Sequence, residues 1–292
     1  FVGLGIMGEG MSRRLLTVPG ATLAVWSRDA AKGERLRAEH PEAVTVCPSA
    51  ADVVRASDVT FCMLSTPEAS VTVFDHPGGL LEGVTDSCAV VDCATLTPER
   101  MSEVAEGVRA RGGLFLEAPV SGSKQPAADG SLIFLCSGDE EALARARPAL
   151  DAMGKATHYL GPEAGLGTRL KLAVNMVMAA QLAAVAEGVA LCEAEGLSPA
   201  TFVEVLTQGA MASPMVKLKG PAMVEGRYPP AFPLRHARKD LAFALDAAKA
   251  RGLRLPVAAA SDALYRRAID DGLGDRDFAA VCEEVRPEPP VA

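Results

Sequence analysis

Over its first 160 residues the chain alternates short apolar runs with stretches of helical period. The apolar runs lie at 1–4, 21–26, 59–64, 89–93, 114–117, 132–136 and 157–160. They are apolar on both faces, as strands covered on two sides are. Between them 8–16, 30–39, 98–111 and 140–153 read as helices. Strands alternating with helices predict a mostly parallel sheet with helices on both faces.

The pattern changes after Gly161. From Gly167 to Gly196 there is no proline and a single internal glycine, Gly188. Wholly helical, this piece would run about 40 Å. Its middle, 172–191, is nearly continuous apolar sequence of a length that would span a bilayer. Asn175, Gln181, Glu187 and Gly188 interrupt it, and no second such segment exists. It therefore reads as a helix of a soluble protein, buried on all sides. From Pro199 to Val285 the pattern predicts further helices, with loops at 213–214, 228–233 and 272–274, and no strand. The expected organisation is α/β over 1–163 and all-helical over 164–292, joined through the long central helix. The proline-rich end, 287–292, is expected to fray.

Composition narrows the classes. Half of the 292 residues are hydrophobic (49%) and 23% are charged, which suits a globular protein rather than a disordered one. Lys plus Arg is 29 against 37 Asp plus Glu, a net charge of −8. With neither a basic surplus nor a basic run, nucleic acid is not an expected partner, and neither is a membrane. The seven cysteines form no C-x-x-C pair and fall mostly in apolar runs. They read as buried thiols of a reducing compartment, not as a disulfide frame or zinc site. His40, His76, His158 and His236 share no metal-ligand spacing, so no metal is expected. No signal or transit segment is visible. A soluble, cytoplasmic protein is expected; because the chain starts at Phe1 and not Met, an organellar address stays open.

Residues 3–8 read Gly3-Leu4-Gly5-Ile6-Met7-Gly8, a G-x-G-x-x-G match between a strand start and a helix. That is the setting of a dinucleotide loop, whose helix amino terminus faces a pyrophosphate. Gly3 permits the turn, Gly5 the approach of backbone to phosphate, and Gly8 close packing of helix on strand. At the end of the second strand, where NAD enzymes commonly place an acid, stands Ser27-Arg28. An arginine there can pair a 2′-phosphate through two N–H bonds, which predicts NADP(H).

Lys171 and Asn175 are four apart on the central helix and share a face. A lysine in so apolar a segment is costly unless paired, hydrated or placed at a cleft. A lysine reaching for solvent from the helix start is the plain alternative.

At this point the chain resembles the β-hydroxyacid dehydrogenases, among them 3-hydroxyisobutyrate dehydrogenase, tartronate semialdehyde reductase and glyoxylate/succinic semialdehyde reductase. The matching pieces are F-V-G-L-G-I-M-G at 1–8, M-L-S at 63–65, D-C-A-T at 92–95, E-A-P-V-S-G-S at 117–123, K-L-A-V-N at 171–175 and K-D at 239–240. They run in order along the whole chain. G-A-M-A-S-P-M at 209–215 and Y-P-P-A-F-P-L-R-H at 228–236 look most like the glyoxylate/succinic semialdehyde reductase branch. The chain departs from the family at its shortened first strand and at Ser27, where the branch often has Asn.

The resemblance implies a Rossmann domain followed by a helical domain, with substrate held between them beside the central helix. It implies Lys171 as the catalytic lysine, Asn175 positioning substrate, and Ser121, Gly122 and Ser123 holding the substrate carboxylate. Met63, Leu64 and Ser65 would line the cofactor, Thr95 would sit near the nicotinamide, and Lys239 would reach the cofactor. Phe232 and Asp240 would close the substrate pocket. The activity implied is NADPH-dependent reduction of small aldehyde acids, by a homodimer or homotetramer. Two further readings stay open at this stage: an NAD(P)-dependent dehydrogenase of 3-hydroxyisobutyrate type, and a non-catalytic binding module that keeps the fold. An imine reductase is a third, although those relatives usually lack a lysine at position 171.

Overall fold

The computed structural model describes residues 1–86 and 88–286. The segment expected to fray, 287–292, lies outside the described residues. The chain forms two compact units, Phe1–Lys171 and Leu172–Ala292.

In the first unit the elements run α1 (Ile6–Leu15), β1 (Leu23–Val25), α2 (Ala30–Glu39), β2 (Val44–Val46), α3 (Ala50–Arg55), β3 (Val59–Cys62), α4 (Pro67–Asp75), α5 (Leu80–Gly83), β4 (Ala89–Asp92), α6 (Pro98–Arg109), β5 (Leu114–Glu117), β6 (Val120–Ser121), α7 (Lys124–Asp129), β7 (Leu132–Gly138), α8 (Glu140–Met153) and β8 (Gly154–Tyr159). Local chemistry starts several of the helices. Asp29, Ser49, Thr66 and Thr97 accept first-turn N–H bonds at α2, α3, α4 and α6, and Pro67 and Pro98 begin α4 and α6. Each such cap is worth about 1 kcal/mol.

The sheet is mostly parallel. Parallel ladders join β1 to β2, β3 to β4, β4 to β5 and β7 to β8, while β7 runs antiparallel to β5 and β6. Val2 bridges Trp26 on one side and Cys62 on the other, both in parallel sense. Val2 and Gly3 donate N–H bonds to Phe61 and Trp26 at 2.8 and 2.9 Å. The expected first strand is therefore in place but contracts to this bridging segment. Along β4 and β5, neighbouring residues enter opposite cores. Val91 and Leu116 join Met11, Val25, Leu36 and Leu150 on one face. Val90 and Phe115 join Val54, Phe74, Met101 and Val108 on the other. That alternation is why those strands carry no polar stripe.

Among its described residues the second unit's regular elements are all helices, with an isolated antiparallel bridge between Pro233 and Asp277. The long helix α9 (Leu166–Ala194) enters it and is followed by α10 (Pro199–Gln208), α11 (Pro214–Glu225), α12 (Leu234–Lys249), α13 (Pro256–Asp270) and a 3₁₀ helix, Phe278–Glu284. By length and composition α9 could cross a membrane. Its inner face instead builds the core of this unit. Ala179, Leu182, Ala186 and Val189 pack with Met223, Leu241, Tyr265 and Val281, and the Tyr265 hydroxyl donates to the Ala179 carbonyl at 3.2 Å. One expectation is corrected here. The helix is not buried all round, since Val177 and Leu191 are 60% and 63% exposed and Leu170 and Val174 are also exposed. Buried positions recur every three or four residues although the composition hardly changes around the axis.

Candidate active site

The glycine loop shows three different reasons for glycine. Gly3 has φ +96°, and a Cβ there would sit 2.4 Å from the Met63 carbonyl oxygen. A Cβ on Gly8 would sit 1.9 Å from the Gly3 carbonyl oxygen, so α1 can lie this close to the strand segment only without one. At Gly5 a Cβ would meet nothing within 4 Å, so the space beside it is open. Gly5 also precedes α1, whose start has no side-chain cap. First-turn N–H groups beside open space are the arrangement that receives a phosphate.

The other sequence-predicted residues of the first unit gather along one edge of the sheet. Trp26, Val2, Cys62, Asp92 and Glu117 stand in a single transverse row, each in register with the next. Ser27 and Arg28 follow Trp26 directly, and Gly3 follows Val2. Met63, Leu64 and Ser65 follow Cys62, Thr95 comes three residues after Asp92, and Ser121 four after Glu117. This carboxyl-end edge is where doubly wound sheets bind ligands.

Arg28 is exposed, and its neighbour Asp29 is committed to the α2 cap through a 3.1 Å bond from the Ala31 N–H. Beside them lies an open cavity of about 320 Å³, lined among others by Trp26, Ser27, Gly33, Val46 and Pro48. Ser121 ends β6. Gly122, at φ +134°, leaves no room for a side chain, because a Cβ would lie 2.8 Å from Leu132 Cδ2. Ser123 precedes α7 without capping it.

Asp92 ends β4 fully buried. Its Oδ1 accepts the Ala94 N–H at 2.9 Å, shaping the turn that leads to Thr95. Its Oδ2 is buried without a hydrogen-bond partner. Burial, with Glu117 alongside, pushes the Asp92 carboxyl up to about 7.

On α9, Lys171 is 6% exposed and Asn175, one turn on, 3%. The Asn175 Nδ2 donates to Asp240 Oδ2 at 2.6 Å. A carboxylate can only accept here, so the amide orientation is fixed. Its Oδ1 is left buried with no hydrogen-bond partner. Lys239 Nζ lies 3.0 Å from Asp240 Oδ1 and 5.1 Å from the Phe243 ring centroid. Burial and Lys239 lower the His236 imidazole's pKa, and Asp240 opposes them. Phe232 meets Phe278 edge-on at 5.4 Å. Its N–H donates to Asp277 Oδ2 at 3.1 Å, and the same oxygen accepts Lys219 Nζ at 2.7 Å. Sequence reasoning missed Asp277 and Lys219, a buried ion pair whose members are 58 residues apart.

A family model described as the NAD binding domain of 6-phosphogluconate dehydrogenase matches residues 1–161. A second, described as the NAD-binding of NADP-dependent 3-hydroxyisobutyrate dehydrogenase, matches residues 165–285. Glyoxylate/succinic semialdehyde reductase 1 of Arabidopsis thaliana is 42% identical over 286 residues, covering 98% of this chain and 97% of that one. The chain belongs to the β-hydroxyacid dehydrogenase family. The resemblance read from its motifs holds, as does the expected Rossmann-plus-helical fold class. As a β-hydroxyacid dehydrogenase the protein is an NAD(P)-dependent oxidoreductase. Among solved relatives, 3-hydroxyisobutyrate dehydrogenase from Salmonella typhimurium matches with a TM-score of 0.86 at 28% identity, over 97% of both chains. The structure of Psf3 in complex with NADP+ and 2-OPP matches with a TM-score of 0.87 at 25% identity, over 97% of this chain and 98% of that one.

Proposed function

We propose that the protein reduces small aldehyde acids with NADPH, converting glyoxylate to glycolate and succinic semialdehyde to 4-hydroxybutyrate, with Lys171 as proton donor. The observation that carries this reading is a buried lysine one helical turn from a buried asparagine, in a chain 42% identical to a glyoxylate/succinic semialdehyde reductase.

Gly3, Leu4, Gly5, Ile6, Met7 and Gly8 form the loop that holds the pyrophosphate, and the open space at Gly5 supports that assignment. Ser27 and exposed Arg28 take the 2′-phosphate. Met63, Leu64, Ser65 and Thr95 line the remainder, and Lys239 adds a positive charge. Bound NADPH supplies the hydride.

The chain's own groups bind, orient and move a proton. The N–H and hydroxyl groups of Ser121, Gly122 and Ser123 hold the substrate carboxylate. Lys171, as ammonium, hydrogen-bonds the carbonyl oxygen and donates a proton as alkoxide charge develops there. Asn175, held through Nδ2 by Asp240, offers its buried Oδ1 as an acceptor. Phe232 and Asp240 bound the substrate space.

The chain also self-associates, as dimer or tetramer; the exposed apolar stripe of α9 supports this. All seven cysteines are free thiols, which supports a reducing compartment such as the cytoplasm.

The testing variant is Lys171→Ala. NADPH affinity should stay within about threefold while kcat falls by at least about 10²-fold, the range for loss of a general acid. Near-normal turnover would remove the lysine from the chemistry. The Salmonella relative favours a second reading, oxidation of 3-hydroxyisobutyrate. Steady-state rates in both directions decide between the two.

A further inference from the structure

The first turn of α9 closes on a buried side chain that no role above uses. Glu117 ends β5 and is fully buried. Its Oε1 accepts the N–H groups of Gly165 and Gly167 at 2.7 and 2.6 Å, together with the Ser137 hydroxyl. Its Oε2 accepts the Thr168 hydroxyl at 2.9 Å and the Thr168 N–H at 3.3 Å. The fit is close: a Cβ on Gly167 would lie 3.2 Å from the Glu117 carboxyl group and 2.2 Å from the Leu135 carbonyl oxygen.

Three of these donors are backbone N–H groups, which cannot turn round to accept. They reach both oxygens, the pattern that suits a carboxylate. Burial raises the Glu117 carboxyl above the usual carboxylate range, and the bonds from Ser137, Thr168 and Gly167 work against that rise. The Glu117 carboxyl group satisfies N–H groups that a helix start leaves without partners, and when ionised it sets a negative charge against the positive end of a 29-residue helix. Lys171 follows Thr168 by three residues, on the same side of α9 and one turn along it. Glu117 is also four residues before Ser121 in the chain. One side chain therefore ties the lysine-bearing turn to the strand that leads into the Ser121–Ser123 loop.

We propose that Glu117 is a positioning residue, whose carboxylate fixes the first turn of α9 and so sets Lys171 against the carbonyl of a substrate held by Ser121–Ser123. This rests on the reductase reading above. Placement matters at this scale because an error of about 1 Å in a reacting group costs on the order of 10²-fold in rate. Gln at position 117 keeps the shape but turns an NH₂ toward Thr168 N–H and removes the charge.

The experiment uses the full chain with Glu117→Gln, and with Thr168→Val as the milder variant that keeps the carboxylate. For E117Q, kcat for the aldehyde acid should fall about 10- to 100-fold, with KM and NADPH Kd each within about threefold. The isotope effect with NADPH deuterated at the transferred hydrogen should rise as the chemical step becomes limiting. T168V should move the same quantities the same way by less, and E117D should recover part of kcat. Parental kcat in folded E117Q, or a loss of kcat matched by loss of NADPH binding, would overturn the proposal.

A second measurement needs no substrate. Amide hydrogen exchange should speed up over 165–171 in E117Q and stay unchanged over β3 and β4. Unchanged protection over 165–171 overturns the anchor whatever the enzyme reduces. A parent inert toward every aldehyde acid, with protection lost as expected, sinks the reductase reading and leaves the anchor standing.

Discussion

Arg28 is exposed at the end of the second strand of the nucleotide domain, and the acid that follows it in sequence, Asp29, caps α2. A guanidinium can hold a 2′-phosphate with charge-assisted bonds worth about 1.5–3 kcal/mol. Arg28→Asp replaces attraction by repulsion, so the ratio of kcat/KM for NADPH over NADH should fall by at least about 10-fold. An unchanged ratio would contradict the phosphate clamp. Asp92 makes a different kind of prediction. Its folded-state pKa is raised to about 7 from 3.8, first by burial. Well below the unfolded value of 3.8 both folded and unfolded chains hold the proton, so nothing is lost. As pH rises toward 7 the unfolded chain releases it while the folded chain does not. Stability should fall across that window by up to about 4 kcal/mol and then level off. Asp92→Asn keeps an oxygen for the Ala94 N–H but cannot ionise. Its buried Nδ2 costs about 1–3 kcal/mol, so the diagnostic is the slope and not the absolute value. Urea midpoints at pH 5 and pH 8 should lie closer together in D92N than in the parent. An equal gap would assign the pH dependence elsewhere.

Elements were legible where their ends carry local chemistry. Ala30–Glu39 reads correctly to the residue because Asp29 caps it. Leu114–Glu117 does so because Gly112 and Gly113 precede it and Pro119 closely follows. Short elements were not legible. β2 and β6 have three and two residues, and α3 and α5 six and four, too few for either period to show. α9 failed differently. Its existence and length were plain, but Val177 and Leu182 are both apolar while one is exposed and the other buried. Only the packing of the second unit separates them. The candidate site divides along the same line. The glycine loop and Ser27-Arg28 are contiguous residues whose proposed roles are read from strand and helix boundaries. The bonds of Glu117 to Gly165, Gly167 and Thr168 span 48 to 51 residues, and no local pattern encodes them. An acid closing the run Leu-Phe-Leu-Glu was the one visible sign.

At the scale of the whole molecule, charge works against long-range capture of the proposed ligands. The chain carries a net −8, and both NADPH and an aldehyde acid are anions. If the proposed function holds, recognition has to be local, through Arg28 for the nucleotide and Ser121–Ser123 with Lys171 for the substrate. If Ser121–Ser123 holds a carboxylate, removing that group from the substrate should cost what a charge-assisted hydrogen bond is worth, about 1.5–3 kcal/mol. Succinic semialdehyde should then exceed butanal, an aldehyde of the same chain length without the acid, by about 10- to 150-fold in kcat/KM with NADPH. Glyoxylate should behave as an acid substrate of the same class. On the reductase reading, oxidation of 3-hydroxyisobutyrate by NADP+ at neutral pH should be slower than either reduction. Equal kcat/KM for butanal and succinic semialdehyde would detach Ser121–Ser123 from substrate binding. A faster rate on 3-hydroxyisobutyrate would instead keep that assignment and reverse the physiological direction, because the same carboxylate contact serves either acid.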